Sequence, residues 1–348
     1  MARIKDTYIT DLKARVPILD VVSTHVKLKR SGKSWVGLSP FSQEKTPSFY
    51  VHPDKDMFHC FSTSTGGDAI RFVQLVENLT FIEALETLAH RFNFPVQYEH
   101  GSSSEARQSD TMRSILFALH EEAATWYREH FLAQDRDGEY IRDYWTNQRN
   151  FSLDAAEDFK VGFAPAKGGL RKLLDQKEYS RKAMEESGLF IAGGRERFRG
   201  RLMIPIRETQ GRIAAFTARQ LEITPTDDPA HKAKYVNSPD TPIFRKGNLL
   251  FNLDKARVQL KEHKSFLLVE GQLDVMRCWE VGAKTAVAPQ GTAFTEMQAS
   301  LLARHQAESL EVLLDGDTAG RSAALRILPK LLEAGLETTF LELPEDED

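Results

Sequence analysis

The sequence predicts a multidomain chain in which an α+β part is followed by an α/β part, and three observations carry that expectation. At 348 residues the chain is long enough for about two domains of the usual 100–200 residues, each with its own core. Its first hundred residues alternate short strand-like pieces with turn residues and end in two amphipathic helices. From Ser265 onward, apolar strands alternate regularly with amphipathic helices, the pattern of a parallel sheet with helices on its faces.

Composition narrows the class. Hydrophobic residues make up 41%, charged residues 28% and aromatic residues 9%, which excludes a wholly disordered chain. No apolar run approaches the roughly 20 residues that cross a bilayer. The start, Met1-Ala-Arg-Ile-Lys-Asp6, lacks the layout of a signal peptide, so a cytoplasmic protein with no membrane partner is expected. Cys60 and Cys278 are the two cysteines, too few for a disulfide framework or a four-cysteine zinc site.

Taken in order, residues 1–100 read as one unit. A short helix is expected over 17–24, strands over 26–28, 34–38, 48–51 and 57–61, and helices over 68–77 and 80–92. The last opens on a capping box, Thr80-Phe-Ile-Glu83. Residues 101–110 lack apolar periodicity and read as a linker. The stretch 111–260 is mixed: a helix over 113–132, a short helix capped by Ser152, and strands 201–207 and 212–218 joined through Glu208-Thr-Gln-Gly211. Residues 261–348 form the regular α/β part, with strands at 266–269, 285–288, 310–314 and 338–343. Helices at 273–281, 295–304 and 319–332 separate them.

Charge is unevenly placed. Residues 1–45 hold nine Lys/Arg against four Asp/Glu, and residues 195–219 hold seven Arg against two Glu. Such stretches inside a slightly acidic chain are where a polyanion would bind, although any one of them also reads as a solvated face. Two strands of the α/β part end in carboxylates: Leu267-Leu-Val-Glu270-Gly271 and Val312-Leu-Leu-Asp315-Gly-Asp317. The reactive crevice of an open parallel sheet lies beyond the carboxyl ends of its strands, so Glu270, Asp315 and Asp317 are expected to converge there. Oxygen donors of this kind suit Mg2+. The competing reading of Asp-Gly-Asp is a turn with a helix N-cap. Gly271 and Gly316 are expected to permit tight turns, and Gly320 to let the next helix start close to the sheet.

The pattern strand-Glu-Gly then strand-Asp-x-Asp-x-x-Gly resembles the Toprim domain. Its flanks, Val269-Glu-Gly-Gln-Leu-Asp-Val275, Gln290-Gly-Thr-Ala-Phe-Thr295 and Leu314-Asp-Gly-Asp-Thr-Ala-Gly-Arg-Ser-Ala-Ala324, resemble the version found in bacterial replicative primases. So do Arg197-Phe-Arg-Gly-Arg-Leu-Met-Ile-Pro-Ile-Arg207, Lys234-Tyr-Val-Asn-Ser-Pro-Asp-Thr-Pro242 and Phe244-Arg-Lys-Gly247. The resemblance implies a monomeric enzyme that joins NTPs into short RNA on a single-stranded DNA template. It implies metal binding (Mg2+ or Mn2+) by Glu270, Asp315, Asp317 and Asp348, with Glu270 alternatively a proton carrier. Arg199, Arg201, Arg219, Lys234 and Lys246 match the family's phosphate-binding positions, and in the same motif Tyr235 would stack on a base and Asn237 hydrogen-bond a sugar or base edge, with a structural role equally open for either. The third acidic motif would begin at Asp348, the last residue, so a truncated chain is expected. The family's domain for binding the replicative helicase would lie beyond it. Toprim-type DNA cleavage and catalytically silent single-stranded DNA binding are the rival functions.

Residues 36–67 resemble the primase zinc ribbon, whose four ligand positions fall here on Ser39, Ser42, Cys60 and Thr63. Hydroxyls are poor zinc ligands, so the structural zinc typical of the family is expected to be absent. Hydrogen bonds and apolar packing are expected to replace it. The fold expected overall is therefore a zinc-ribbon-like antiparallel sheet with helices (1–100), a mixed α+β subdomain (111–260) and a Toprim parallel-sheet subdomain (261–348).

Overall fold

The computed structural model divides the chain into two units, residues 1–103 and 104–348. It describes residues 6–341 apart from 42, 43, 78, 80, 93, 95, 97–103, 292, 306 and 308.

The first unit runs α1 (Asp6–Arg15), α2 (Ile18–Ser23), β1 (Lys29–Ser31), β2 (Ser34–Gly37), β3 (Phe49–His52), β4 (Met57–Cys60), β5 (Thr65–Gly67), α3 (Ala69–Val76) and α4 (Phe81–Arg91). Its five strands form an antiparallel sheet in chain order. Period-two alternation sends Phe49, Val51, Phe58 and Cys60 inward, while Tyr50, His52, Met57 and His59 face out. Beneath the sheet, Phe41, Phe49, Phe58 and Phe72 form a tetrad. All six ring-centroid separations lie between 5.3 and 6.2 Å. Asp68 caps α3 by accepting from the Arg71 backbone N–H at 2.9 Å.

Three details differ from the sequence reading. Helix α1 was not expected, because a single i, i+4 apolar pair marks it. Tyr8 and Leu12 are nevertheless buried, and Tyr8 stacks on Phe94 at 5.0 Å and donates to its carbonyl. The first strand lies at 29–31, three residues after the expected 26–28. The tight Gly32-Lys33 turn, with Gly32 at φ +63°, sets the register by pairing Ser31 with Ser34. Gly66 and Gly67, between the expected strand 57–61 and helix 68–77, belong to strand β5 and pair with His59 and Phe58. The capping box at Thr80 lies outside the described residues.

The second unit opens on α5 (Ser104–Leu132), α6 (Arg136–Asp143), a π-helical turn over 144–148, α7 (Leu153–Asp158), β6 (Gly162–Ala164), α8 (Leu170–Gln176) and α9 (Arg181–Glu186). It continues through β7 (Arg201–Arg207), β8 (Ile213–Gln220), β9 (Tyr235–Asn237) and α10 (Leu253–His263). The rest is β10 (Ser265–Leu268), α11 (Gln272–Glu280), β11 (Ala286–Val287), α12 (Glu296–Ala303), β12 (Ser309–Leu313), α13 (Thr318–Glu333) and β13 (Thr338–Leu341). Residues 104–110, expected in the linker, are the first turns of α5. Glu105, Ala106, Arg107 and Gln108 are strong helix formers that need no apolar stripe to extend an existing helix.

Strands β6-β7-β8-β9 make an antiparallel sheet, and β11-β10-β12-β13 a parallel one. Ile204 and Ala215 of the first share a core with Leu267 and Ala286 of the second and with Val275 of α11. The two sheets are therefore halves of one packed body. Ser152 caps α7, accepting from the Ala155 N–H at 3.0 Å.

A buried histidine packs against the antiparallel sheet. His120 on α5 is fully buried, its Nδ1 lies 2.7 Å from the Leu116 carbonyl and its ring stacks on Phe216. Burial holds its pKa down, from 6.5 to about 4. A folded pKa below the unfolded one gives stability that is present above pH 6.5 and lost as pH falls toward 4. Chemical unfolding followed across that window is expected to show a loss on the order of 3 kcal/mol, and His120→Gln to flatten the slope.

Candidate active site

Parallel pairing builds the site. Leu268 of β10 is opposite Val312 of β12, so the residues just beyond both strands emerge side by side. There the Asp315 backbone N–H donates to Glu270 Oε1 at 3.4 Å. Partial burial, followed by the charges of Asp315 and Asp274, pushes the Glu270 carboxyl above its usual range. Asp274 turns back to accept from the Gly271 N–H at 2.8 Å. Asp317 is exposed and caps α13, accepting from the Gly320 N–H at 2.7 Å. The structure thus brings Glu270 and Asp315 together and gives Asp317 the N-cap that was the competing reading of Asp-Gly-Asp. Asp348 lies outside the described residues.

Gly320 is required by close approach. A Cβ there would sit 2.1 Å from the Asp315 carbonyl oxygen. Gly271 has an extended φ of −140° that any residue adopts, so the bend at Glu270–Gly271 does not depend on a glycine there.

Glu270 and Asp315 line a cavity of about 320 Å3 with Arg149, Phe151, Asp274 and Arg277. Sequence reasoning missed both arginines. Arg149 precedes Asn150, whose φ of +54° turns the chain toward the site. Its Nε is buried with no hydrogen-bond partner. Arg277 stacks 4.0 Å over Phe151 and donates to the Arg149 and Asn150 carbonyls. The helical spacing of Asp274 and Arg277 was the available signal.

The basic residues separate into two groups. Arg219 on β8 donates to Tyr144 Oη at 2.6 Å and to Tyr235 Oη, with its guanidinium 5.2 Å over the Tyr235 ring. Burial opposes its charge, but the two tyrosine oxygens more than restore it. Tyr235 and Lys234 are exposed and Lys246 half-buried. Arg199 is held by the Ala166 carbonyl at 3.0 Å and by Asp227 at 3.1 Å. Arg201 corrects the sequence reading. It was expected at a phosphate, yet it is fully buried, donating to the Ala230 and Ala233 carbonyls and paired with Asp228 at 3.5 Å. Its guanidinium anchors the loop after β8.

Asn237 takes the structural role that was the alternative to a sugar or base contact. Its Oδ1 accepts from the Thr217 hydroxyl at 2.7 Å and its Nδ2 donates to the Gln290 carbonyl at 3.3 Å. Gln272 Nε2 reaches Gln290 Oε1 at 3.2 Å and Thr217 Oγ1 at 3.4 Å. This buried amide network ties the antiparallel sheet to the residue two past Glu270.

Metal fit differs between the units. Two facing carboxylates at the Glu270–Asp315 pair are hard donors suited to a divalent cation, although among the described residues no group of three or more potential ligands is assembled. In the first unit, Cys60 Sγ is 3.2 Å from Ser39 Oγ and from Ser62 Oγ, and Thr63 lies against the same sulfur. Ser42 lies outside the described residues. One thiol among hydroxyls does not fit tetrahedral zinc.

Comparison with known proteins agrees with this geometry. Residues 4–104 match the CHC2 zinc finger family, residues 126–257 the DNA primase catalytic core N-terminal domain, and residues 267–348 the Toprim-like family. The crystal structure of the Aquifex aeolicus primase (zinc binding and RNA polymerase domains) is similar over all of this chain and 81% of that one, with a TM-score of 0.61 and 33% identity. A DnaG primase catalytic domain bound to ssDNA is similar over 68% of this chain and 74% of that one, with a TM-score of 0.59 and 33% identity. A DNA primase of Halalkalibacterium halodurans is 38% identical over 99% of this chain and 57% of its own length. One of Mycolicibacterium smegmatis is 39% identical over 93% and 52%. The chain spans about half the length of these relatives. Fold and site together define a Toprim-containing protein of nucleic-acid metabolism. The chain belongs to the bacterial DnaG-type DNA primase family.

Two substitutions test the site's construction. Gly320→Ala is expected to cost about 1–3 kcal/mol by overpacking and to displace Asp315, measured as a lowered urea midpoint. Asp228→Ala leaves Arg201 charged and buried without its partner, and a loss of about 3–5 kcal/mol is expected in the same measurement.

Proposed function

We propose that this chain carries the RNA-polymerase part of a primase and joins ribonucleotides on a single-stranded DNA template. The observation that supports this most is the Glu270–Asp315 carboxylate pair at the ends of adjacent parallel strands, in a cavity flanked by Arg149 and Arg277. In the reaction the 3′-hydroxyl of one nucleotide attacks the α-phosphorus of the next and pyrophosphate leaves. No protein nucleophile is needed.

Glu270 and Asp315, joined by Asp317 and Asp348, would hold Mg2+ or Mn2+, which supplies activation of the hydroxyl and neutralises charge at the phosphorus. A Glu270 carboxyl raised in pKa is also suited to accept the hydroxyl proton. Arg149 offers a fork-shaped donor for the triphosphate, and Arg277, held by the Arg149 and Asn150 carbonyls and by Glu280, positions it. Arg219, Lys234 and Lys246 face template or nucleotide phosphates, and exposed Tyr235 offers a stacking face for a base. Arg199, half committed to Asp227, contributes at the rim. Asn237, Gln272 and Gln290 position the Glu270 turn.

The N-terminal unit is read as free of structural zinc, and metal analysis of the purified protein is expected to find far less than one equivalent. Among the described residues no helix is long and apolar enough to cross a membrane, consistent with a cytoplasmic place of action.

The test supplies single-stranded template, NTPs and Mg2+ or Mn2+. Short oligoribonucleotides are expected, and Asp315→Asn and Glu270→Gln are each expected to abolish them. Cleaved DNA, or DNA bound and left unchanged, would overturn the proposal.

A further inference from the structure

The first unit keeps the ribbon although its ligand positions do not fit zinc, so something else must join the two loops that a metal would clamp. The first loop carries Ser39 and runs to Ser48. The second follows β4 and carries Cys60, Ser62 and Thr63. A residue outside the four ligand positions stands in the first loop. Glu44 Oε1 accepts from the Ser39 backbone N–H at 2.7 Å and from the Ser48 backbone N–H at 3.0 Å, and Oε2 accepts from the Ser48 hydroxyl at 2.6 Å. One carboxylate thus satisfies donors at both ends of the loop. Hydrogen bonds to it, led by that of the Ser48 hydroxyl, hold its pKa below the usual carboxylate range.

The loop so closed is joined to the second one at three places. Ser48 Oγ and Ser62 Oγ are 2.9 Å apart, Ser39 Oγ and Cys60 Sγ 3.2 Å, and the Phe61 N–H donates to the Ser48 carbonyl at 3.0 Å. Ser39 Oγ also accepts from the Phe41 N–H at 3.0 Å, which seats Phe41 on the phenylalanine tetrad. Cys60 is fully buried beneath this cluster.

We propose that Glu44 is the keystone of a metal-free knuckle, in which a carboxylate–hydroxyl–thiol hydrogen-bond cluster centred on Glu44 and Ser48 takes over the cross-linking task of the zinc. The proposal rests on the zinc-free reading above and adds to it the residue that replaces the metal. A zinc knuckle comes apart when a chelator removes the ion. This one is indifferent to chelators and depends on a single acidic side chain. Both cysteines are free thiols, and Cys60 is the closed knuckle's own reporter.

A buried thiol reacts with an alkylating reagent only when its surroundings open. The rate of Cys60 labelling is therefore measured on the full native chain, from the Cys60 peptide by mass spectrometry, with the Cys278 peptide as an internal control. Addition of a strong zinc chelator is expected to leave the Cys60 rate unchanged. Glu44→Gln, which keeps the shape and removes the charge, is expected to raise it roughly tenfold or more, with Cys278 unaffected, as the loss of charge-assisted hydrogen bonds requires. Ser48→Ala is expected to act in the same direction and serves if Glu44→Gln does not fold. An unchanged rate in both variants, with no zinc in the protein, overturns the keystone role and leaves the zinc-free reading standing. A chelator that exposes Cys60, or about one equivalent of bound zinc, overturns both.

Discussion

The parallel pairing of β10 with β12 is the constraint from which the second unit follows. Residues 265–268 lie beside 309–312 in register, so both chains leave the sheet at the same level. Two acidic side chains then occupy neighbouring exits. Like charges so placed repel, and that repulsion adds to partial burial in pushing the Glu270 carboxyl up. The fold tolerates this because the rest of the sheet is held by apolar burial on both faces, from Phe266, Leu268, Leu310 and Val312 on one and from Leu267 on the other. A divalent cation would turn the repulsion into attraction, so the strain is useful only in the loaded state. Gly320 belongs to the same constraint, since α13 starts so near the sheet that no Cβ fits against the Asp315 carbonyl.

The amide network extends that constraint outward. Thr217 and Asn237 belong to the antiparallel sheet, Gln272 begins α11, and Gln290 follows β11. Amides in a packed interior have few alternative partners. Their mutual hydrogen bonds therefore fix how the arginine- and tyrosine-bearing sheet stands relative to the acidic strand ends. Arg201 does similar work on the opposite side, where its carbonyl and Asp228 partners hold the loop that leads into Lys234 and Tyr235.

Much of this was readable from sequence where local pattern and tertiary role agree. The α/β part alternates cleanly, and its strands and helices fall within a residue or two of expectation. Glu270 and Asp315 could be paired because strand ends in a parallel sheet share one edge. Elsewhere local pattern was silent. Helix α1 rests on Tyr8 and Leu12 alone, and its reason to form is a neighbour at Phe94. Arg201 and Arg199 are indistinguishable in a run of alternating arginines, yet strand geometry points one into the core and leaves the other at its edge. Asn237 carries the same chemistry in a network as at a ligand, so its type could not decide its place. Arg149 and Glu44 were invisible for a related reason. Each acts through a fold-dependent approach to residues far away or to backbone groups, which spacing does not encode.

Helices α11 and α13 begin immediately after the two acidic strand ends, with Asp274 and Asp317 inside or capping their first turns. Each helix directs the positive end of its macrodipole, equivalent to roughly half a unit charge, into the crevice. The acidic site is therefore less hostile to a triphosphate than its carboxylates suggest. It presents a graded field, negative where a cation would sit and positive along the backbone amides behind it.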